Sequence, residues 1–382
     1  MTFYIQKPKM KSLKFILFSL VFPLTIAAQS TVQTMQHGGL TRSYRLYVPD
    51  SYDPNTAVPL VFNLHGYTSN ALQQEVYGDF RSIADTANFI LVHPDGTLDG
   101  SGNRFWNAFG ASGGVDDVGF ISALIDKIDE DYNIDLNRVY SCGMSNGGFM
   151  SYRLACELGN RITAIASVTG TMAINAPATC NSYKPTPVMQ IHGTADPTVP
   201  YDGNSLMTAI ETVVDFWVDE NNCNPTPIIT NVANTNTTDM CTAQRFLYHS
   251  GSNGSTVEFF KIDGGAHTWP NASFTIGVTN RDMDASVEIW RFFSQYTTNS
   301  LLSTQNAQME AIQIYPNPTQ DVLKIQSNQL IDAIRITDLS GKEVYSNIGH
   351  QDNINLTTFH AGVYFINIHS GTQVYTQKFI IQ

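Results

Sequence analysis

Short, largely apolar runs alternate with longer stretches of helical periodicity over the first three quarters of this chain, and that alternation leaves few folds open. The runs cover residues 44–48, 60–64, 89–92, 139–142, 164–168, 188–191 and 257–262. A strand with one wet face reads as apolar–polar alternation, whereas a strand buried on both faces reads as a continuous apolar run. Between the runs, Phe120, Leu124, Ile125 and Ile128 share one helical face, and Met207, Ile210, Val213, Val214 and Trp217 share another. Val287, Ile289, Trp290 and Phe293 mark a last helix ending near Tyr296. The expected class is α/β, a mostly parallel sheet with helices on both faces. Ligands of such sheets bind at the carboxyl ends of the strands.

After Tyr296 the composition changes. A polar linker is expected over 299–310, followed by short alternating strands at 312–315, 322–325, 333–337, 342–345 and 363–368. Turns such as Asp338-Leu339-Ser340-Gly341 separate them, so residues 311–382 read as a small all-β sandwich. At the other end, Lys7, Lys9, Lys11 and Lys14 precede an apolar stretch and Ala27-Ala28-Gln29, the pattern of a signal peptide cleaved after Ala28. The alternative is an uncleaved anchor, but the stretch is short for a span and carries Pro23. Cleavage removes four lysines and no acidic residue, taking the net charge from −12 to −16. That balance argues against nucleic-acid or anionic-membrane partners, which require a basic face. The α/β region is then expected at 29–298.

Gly143-Met144-Ser145-Asn146-Gly147 follows the 139–142 run and opens a helix-like stretch. In that strand–turn–helix context G-x-S-x-G is a nucleophile elbow, where small residues let a serine occupy a tight, strained turn. Outside it, the same pentapeptide is an ordinary Gly/Ser turn. A serine needs a base, and the base an orienting carboxylate. When acid and then base follow the serine along the chain, His37, His65 and His93 are excluded by position, and His192 precedes every plausible acid loop. His249 sits in a strand-like run and reads as structural. His267, in Gly264-Gly265-Ala266-His267-Thr268-Trp269-Pro270, lies in a loop after the last apolar run and is the expected base. Asp196, following the 188–191 run, is the expected acid, with Asp202 its rival; Asp116 and Asp117 read as helix caps. Oxyanion donors are expected from the amide of Asn146 and, in Leu64-His65-Gly66-Tyr67, from the amide of Tyr67. Trp106 and Trp269, with the Tyr67 ring, are candidate walls of the substrate cleft; core or loop anchors are the alternative.

These motifs, with Asn103-Arg104-Phe105-Trp106 and Val115-Asp116-Asp117-Val118-Gly119-Phe120, resemble the secreted esterase family that groups polyhydroxybutyrate depolymerases, feruloyl esterases and acetylxylan esterases. The resemblance spans roughly residues 35–297 and implies an α/β-hydrolase fold with Ser145, Asp196 and His267 as triad. Ile314-Tyr315-Pro316-Asn317-Pro318, Asp338-Leu339-Ser340-Gly341-Lys342 and Gly362-Val363-Tyr364-Phe365 resemble the type IX secretion sorting domain of Bacteroidetes, which implies export through that machinery; the closing Lys378-Phe379-Ile380-Ile381-Gln382 departs slightly from it. A carbohydrate-binding module is the alternative for this tail.

Export permits disulfides. Of the five cysteines, Cys223 and Cys241 flank a polar loop and are the expected pair; Cys156 with Cys180 is a weaker candidate, and Cys142 a buried thiol. No cysteine or histidine spacing suits a metal, and no cofactor is expected. The expected function is cleavage of feruloyl or acetyl esters on plant polysaccharide at an open site. A polyhydroxybutyrate-type polyester is the alternative substrate, and a non-catalytic surface binding protein on a hydrolase scaffold the alternative class.

Overall fold

The computed structural model describes residues 29–110, 114–180, 182–302, 312–327, 331–338, 342–349, 351–370 and 373–382. The expected signal peptide, residues 1–28, lies outside them.

The chain forms β1 (Thr31–His37), β2 (Leu40–Tyr47), β3 (Val58–Leu64), α1 (Ala71–Tyr77), α2 (Arg81–Ala87), β4 (Ile90–Pro94), β5 (Thr97–Leu98), β6 (Arg104–Phe105), α3 (Asp117–Asp131), β7 (Ile134–Met144), α4 (Asn146–Glu157), β8 (Ala164–Val168), α5 (Ala176–Thr179), β9 (Val188–Gly193), α6 (Ile210–Glu220), β10 (Ile228–Asn231), β11 (Thr242–Tyr248), β12 (Val257–Asp263), α7 (Ala285–Phe293) and α8 (Thr298–Leu302). Ten of these strands make one sheet, ordered β1-β2-β4-β3-β7-β8-β9-β12-β11-β10. The run from β4 to β12 is parallel throughout. The pairs outside it are antiparallel. β5 and β6 form a separate small hairpin.

Side chains alternate across the sheet and build a core on each face. Leu60, Phe62 and Leu64 meet Ile121, Leu124 and Ile128 of α3, Leu154 of α4 and Trp217 of α6 on one face. Val61, Leu91, Tyr140 and Met189 meet Phe292 and Phe293 of α7 on the other. Two expectations shift locally. α6 starts at Ile210, so Met207 stands outside it and bridges Ala173 instead. On α7 the buried stripe runs through Ala285, Ile289, Phe292 and Phe293, with Val287 exposed.

The sheet's associated chain also runs past the expected boundary at 298. Leu301 of α8 is buried in the second core, and the Thr163 and Thr298 hydroxyls bond at 2.8 Å. Beyond it, β13 (Ile312–Tyr315), β14 (Val322–Ser327), β15 (Ala333–Asp338), β16 (Glu343–Ile348), β17 (Asn353–Asn355), β18 (Gly362–Ser370) and β19 (Gln373–Ile381) form two sheets, β13-β14-β17 and β16-β15-β18-β19. Leu323, Ile325 and Ile354 from one and Ile334, Ile336, Ile366 and Phe379 from the other share a core, which makes this unit a sandwich.

The expected Cys223–Cys241 disulfide does not form. The bridge joins Cys156, at the end of α4, to Cys180, just after α5. Cys223, Cys241 and Cys142 are buried free thiols. Cys241 immediately precedes β11, whereas Asn224, next to Cys223, donates its amide to the carbonyl of His249, just past the strand's far end. A seven-residue strand at about 3.4 Å per residue holds the two thiols roughly 20 Å apart, far beyond disulfide reach.

Candidate active site

The elbow forms where β7 gives way to α4. Ser145 sits between them at φ 54°, ψ −121°, a left-handed conformation that side-chain-bearing residues rarely adopt. It persists because its surroundings fix it. The Ser145 amide donates to the Val168 carbonyl at the end of β8 (2.8 Å), and its own carbonyl accepts from Phe149 in α4 (3.0 Å). A side chain on Gly147 would fall 2.2 Å from the Leu64 carbonyl oxygen, and one on Gly143 2.6 Å from the Gly147 backbone. The glycines of the motif therefore let α4 lie directly on β3. The serine hydroxyl makes no cap bond to the helix.

Asp196 follows β9. Its Oδ1 accepts the amides of Thr198 (2.8 Å) and Val199 (2.9 Å), and its Oδ2 lies 2.7 Å from His267 Nδ1. A carboxylate only accepts, so Nδ1 carries the proton and His267 Nε2 is the free base. Burial pushes the Asp196 carboxyl up, but the hydrogen bond and charge of His267, the Val199 amide and the nearby His192 together outweigh it and hold the group below its ordinary value. The Asp196 and His267 loops are tied to each other: Ala195 donates its amide to the Gly265 carbonyl (3.0 Å), and a side chain on Gly193 would lie 2.1 Å from that oxygen. Asp202 is exposed, and His267 is bonded to Asp196 instead.

Gly66 lies against the elbow: a Cβ there would be 3.4 Å from Ser145 Cβ. Among the described residues the Tyr67 amide has no hydrogen-bond partner. Asn146 opens α4, where the amides of a helix have no partner within it. Two donors therefore stand free beside the serine, one at a helix N-terminus that favours negative charge.

The side chain of Asn146 adds a contact that spacing along the chain could not reveal. Its Oδ1 accepts the Trp106 amide (2.6 Å) and its Nδ2 donates to the Trp106 carbonyl (3.2 Å), clamping the β6–α3 segment onto the elbow. That segment is held from behind by a buried ion pair, Arg42 to Asp117 (2.6 Å), with Asp117 also accepting the Asn107 amide (2.8 Å). Asp116 does cap α3, accepting from Gly119, whereas Asp117 serves this pair.

Trp106 and Trp269 do not wall a cleft: each is 1% exposed. Trp106 donates its indole N–H to the His65 carbonyl (3.0 Å) and Trp269 to the Ser286 hydroxyl (3.2 Å), so both anchor loops from inside. Of the three aromatics, Tyr67 alone reaches the surface, its hydroxyl donating to Asp99 (2.6 Å). Among the described residues, no group of three or more His, Cys, Asp or Glu side chains is placed to hold a metal ion.

The chain is 27% identical over 267 residues to a bifunctional acetylxylan esterase/xylanase of Neocallimastix patriciarum, covering 69% of this chain and 35% of that protein. It is 30% identical over 192 residues to feruloyl esterase C of Emericella nidulans, covering 49% of this chain and 64% of that one. It thus spans about a third of the first relative and less than two thirds of the second. An acetyl xylan esterase from Aspergillus awamori superposes with a TM-score of 0.51 at 14% identity, over 69% of this chain and 99% of that one, and so shares the α/β fold. Residues 42–210 match the model of the Esterase PHB depolymerase family, and residues 313–382 match that of a secretion system C-terminal sorting domain.

Proposed function

We propose that the protein is a secreted serine carboxylic-ester hydrolase in which Ser145 is the nucleophile, His267 the base and Asp196 the orienting acid. The observation that carries this reading is the strained Ser145 backbone, held by the Val168 carbonyl with its hydroxyl uncommitted to the helix. Strain at such a residue is retained where it presents a reactive group. Ser145 Oγ attacks the ester carbonyl while His267 Nε2 takes its proton. The resulting oxyanion accepts from the Tyr67 and Asn146 amides. Collapse expels the alcohol, protonated by His267, and leaves an acyl-serine that water hydrolyses by the same steps.

The substrate class favoured is feruloyl or acetyl esters on plant polysaccharide, in line with what the relatives' names state. The match to the depolymerase family keeps a polyhydroxybutyrate-type polyester as the second reading. Residues 1–28 act as a cleaved signal peptide, and residues 311–382 hand the exported chain to the type IX machinery. Purified protein is expected to turn over p-nitrophenyl acetate, with Ser145→Ala falling to the uncatalysed background. Absence of turnover on every short ester would leave the binding-protein alternative standing. Comparing kcat/KM on methyl ferulate, acetylated xylan and 3-hydroxybutyrate oligomers separates the substrate readings.

A further inference from the structure

Of the three His-Gly pairs in the chain, two stand at the carboxyl end of a parallel strand: His65-Gly66 after β3 and His192-Gly193 closing β9. Both histidines are fully buried. In both pairs the glycine makes the close approach described above, Gly66 to Ser145 and Gly193 to the loop of His267. In both, the ring is wired at its two nitrogens, so neither can serve as a base.

The wiring fixes each tautomer. His65 Nδ1 faces the Gly66 carbonyl at 2.7 Å and must donate; its Nε2 receives the Gly96 amide at 2.9 Å and must accept. His192 is the mirror case. Its Nε2 faces the Val199 carbonyl at 2.9 Å and donates, while its Nδ1 accepts from Gln190 Nε2 at 3.0 Å. Gln190 is itself oriented by the Tyr152 hydroxyl (2.6 Å) and the Gly170 carbonyl (2.8 Å). Burial drives both rings down to about 4, so both are neutral donor–acceptors at ordinary pH.

We propose that His65 and His192 are positioning residues that aim, respectively, the Tyr67 oxyanion donor and the Asp196 carboxylate. The argument for His65 is the planarity of the peptide. The Gly66 carbonyl and the Tyr67 N–H belong to one rigid trans unit and point in opposite directions. Holding the carbonyl with Nδ1–H turns the Tyr67 N–H away from His65, where nothing in the described chain receives it. The argument for His192 runs through Val199. His192 holds its carbonyl, and its amide in turn holds Asp196 Oδ1, which leaves Oδ2 for His267. The inference rests on the esterase reading above.

The two tautomers give opposite rescue patterns. The amide nitrogen of asparagine occupies the place of Nδ1, and that of glutamine the place of Nε2. In the full chain, His65→Asn is expected to keep kcat for p-nitrophenyl acetate within roughly tenfold of wild type, with His65→Gln losing about 100-fold, the scale of one lost oxyanion donor. At position 192 the order reverses: Gln is retained and Asn loses at least roughly tenfold, as expected when the base is misoriented. KM stays within about threefold in all four, because the lost interactions act in the transition state. Equal effects of Asn and Gln at either site, or KM rising as kcat falls, overturn the proposal. So does a kcat loss that tracks the folded fraction measured by thermal denaturation. If wild type itself shows no Ser145-dependent turnover, it is the esterase reading that has failed, and this one falls with it.

Discussion

Reducing the Cys156–Cys180 bridge should weaken the fold by an amount its position sets. The bridge closes a loop of 24 residues between the end of α4 and the segment after α5. In the chain-entropy account such a loop costs the unfolded state about 12 cal/mol/K, or about 3.5 kcal/mol at room temperature. A folded unit of roughly 270 residues unfolds with an entropy near 0.6 kcal/mol/K, so the loss should lower Tm by about 6 °C. The assay is calorimetry of the oxidised protein against Cys156→Ser/Cys180→Ser, with each also scanned in reductant. Reductant should shift wild type and leave the double variant where it is. Unreduced peptide mapping should find Cys142, Cys223 and Cys241 as thiols. A linked Cys223–Cys241 peptide, or a double variant as stable as wild type, would refute the reasoning.

Gly147→Ala places a methyl carbon 2.2 Å from the Leu64 carbonyl and 2.8 Å from that of His65, both backbone groups that cannot rotate away. It should cost at least about 2 kcal/mol and remove activity, whereas Gly100→Ala, which meets open space, should stay within about 0.5 kcal/mol in thermal denaturation. Glu258 is buried and pairs with Arg245 (2.8 Å) and Arg291 (2.5 Å), joining β12 to β11 and α7. Burial raises its carboxyl, but the two guanidiniums outweigh this and hold it below its ordinary value. A depressed carboxylate adds stability that is present above the unfolded-state value and is lost as pH falls through the folded one. Tm should therefore drop on acidification below about pH 4.5, and Glu258→Gln should flatten that drop; an unchanged acid limb refutes the assignment.

How much of this molecule was legible in its sequence depended on whether a feature is local. The parallel centre of the sheet was legible because burial on both faces writes a largely apolar run, as in 89–92. β1 and β10 were not, because an edge strand with solvent-facing side chains carries no such signature. The elbow, the Asp196 turn and the His267 loop were legible because a chain that must turn sharply or let another backbone approach needs glycine there, and Gly143, Gly193 and Gly265 mark those places. Contacts between distant segments left no trace. Cys223 and Cys241 are 18 positions apart and flank a loop, yet an extended strand lies between them. Trp106 and Trp269 looked like cleft walls because aromatic residues near a motif suit a binding surface equally well from sequence alone; indole N–H bonds to His65 and Ser286 turn them inward. The same limit hid the Asn146 clamp, since the residue after the serine was read only for its amide. Its side chain completes a pattern seen three times around Ser145: a polar group at or just past a strand end fixes the backbone of a nearby loop, as Asn146 does for Trp106, His65 for Gly66 and His192 for Val199. Rigid strand ends alone place a side chain's root; these bonds set the direction in which each loop's donors point, which is the quantity that an acyl-transfer transition state is sensitive to.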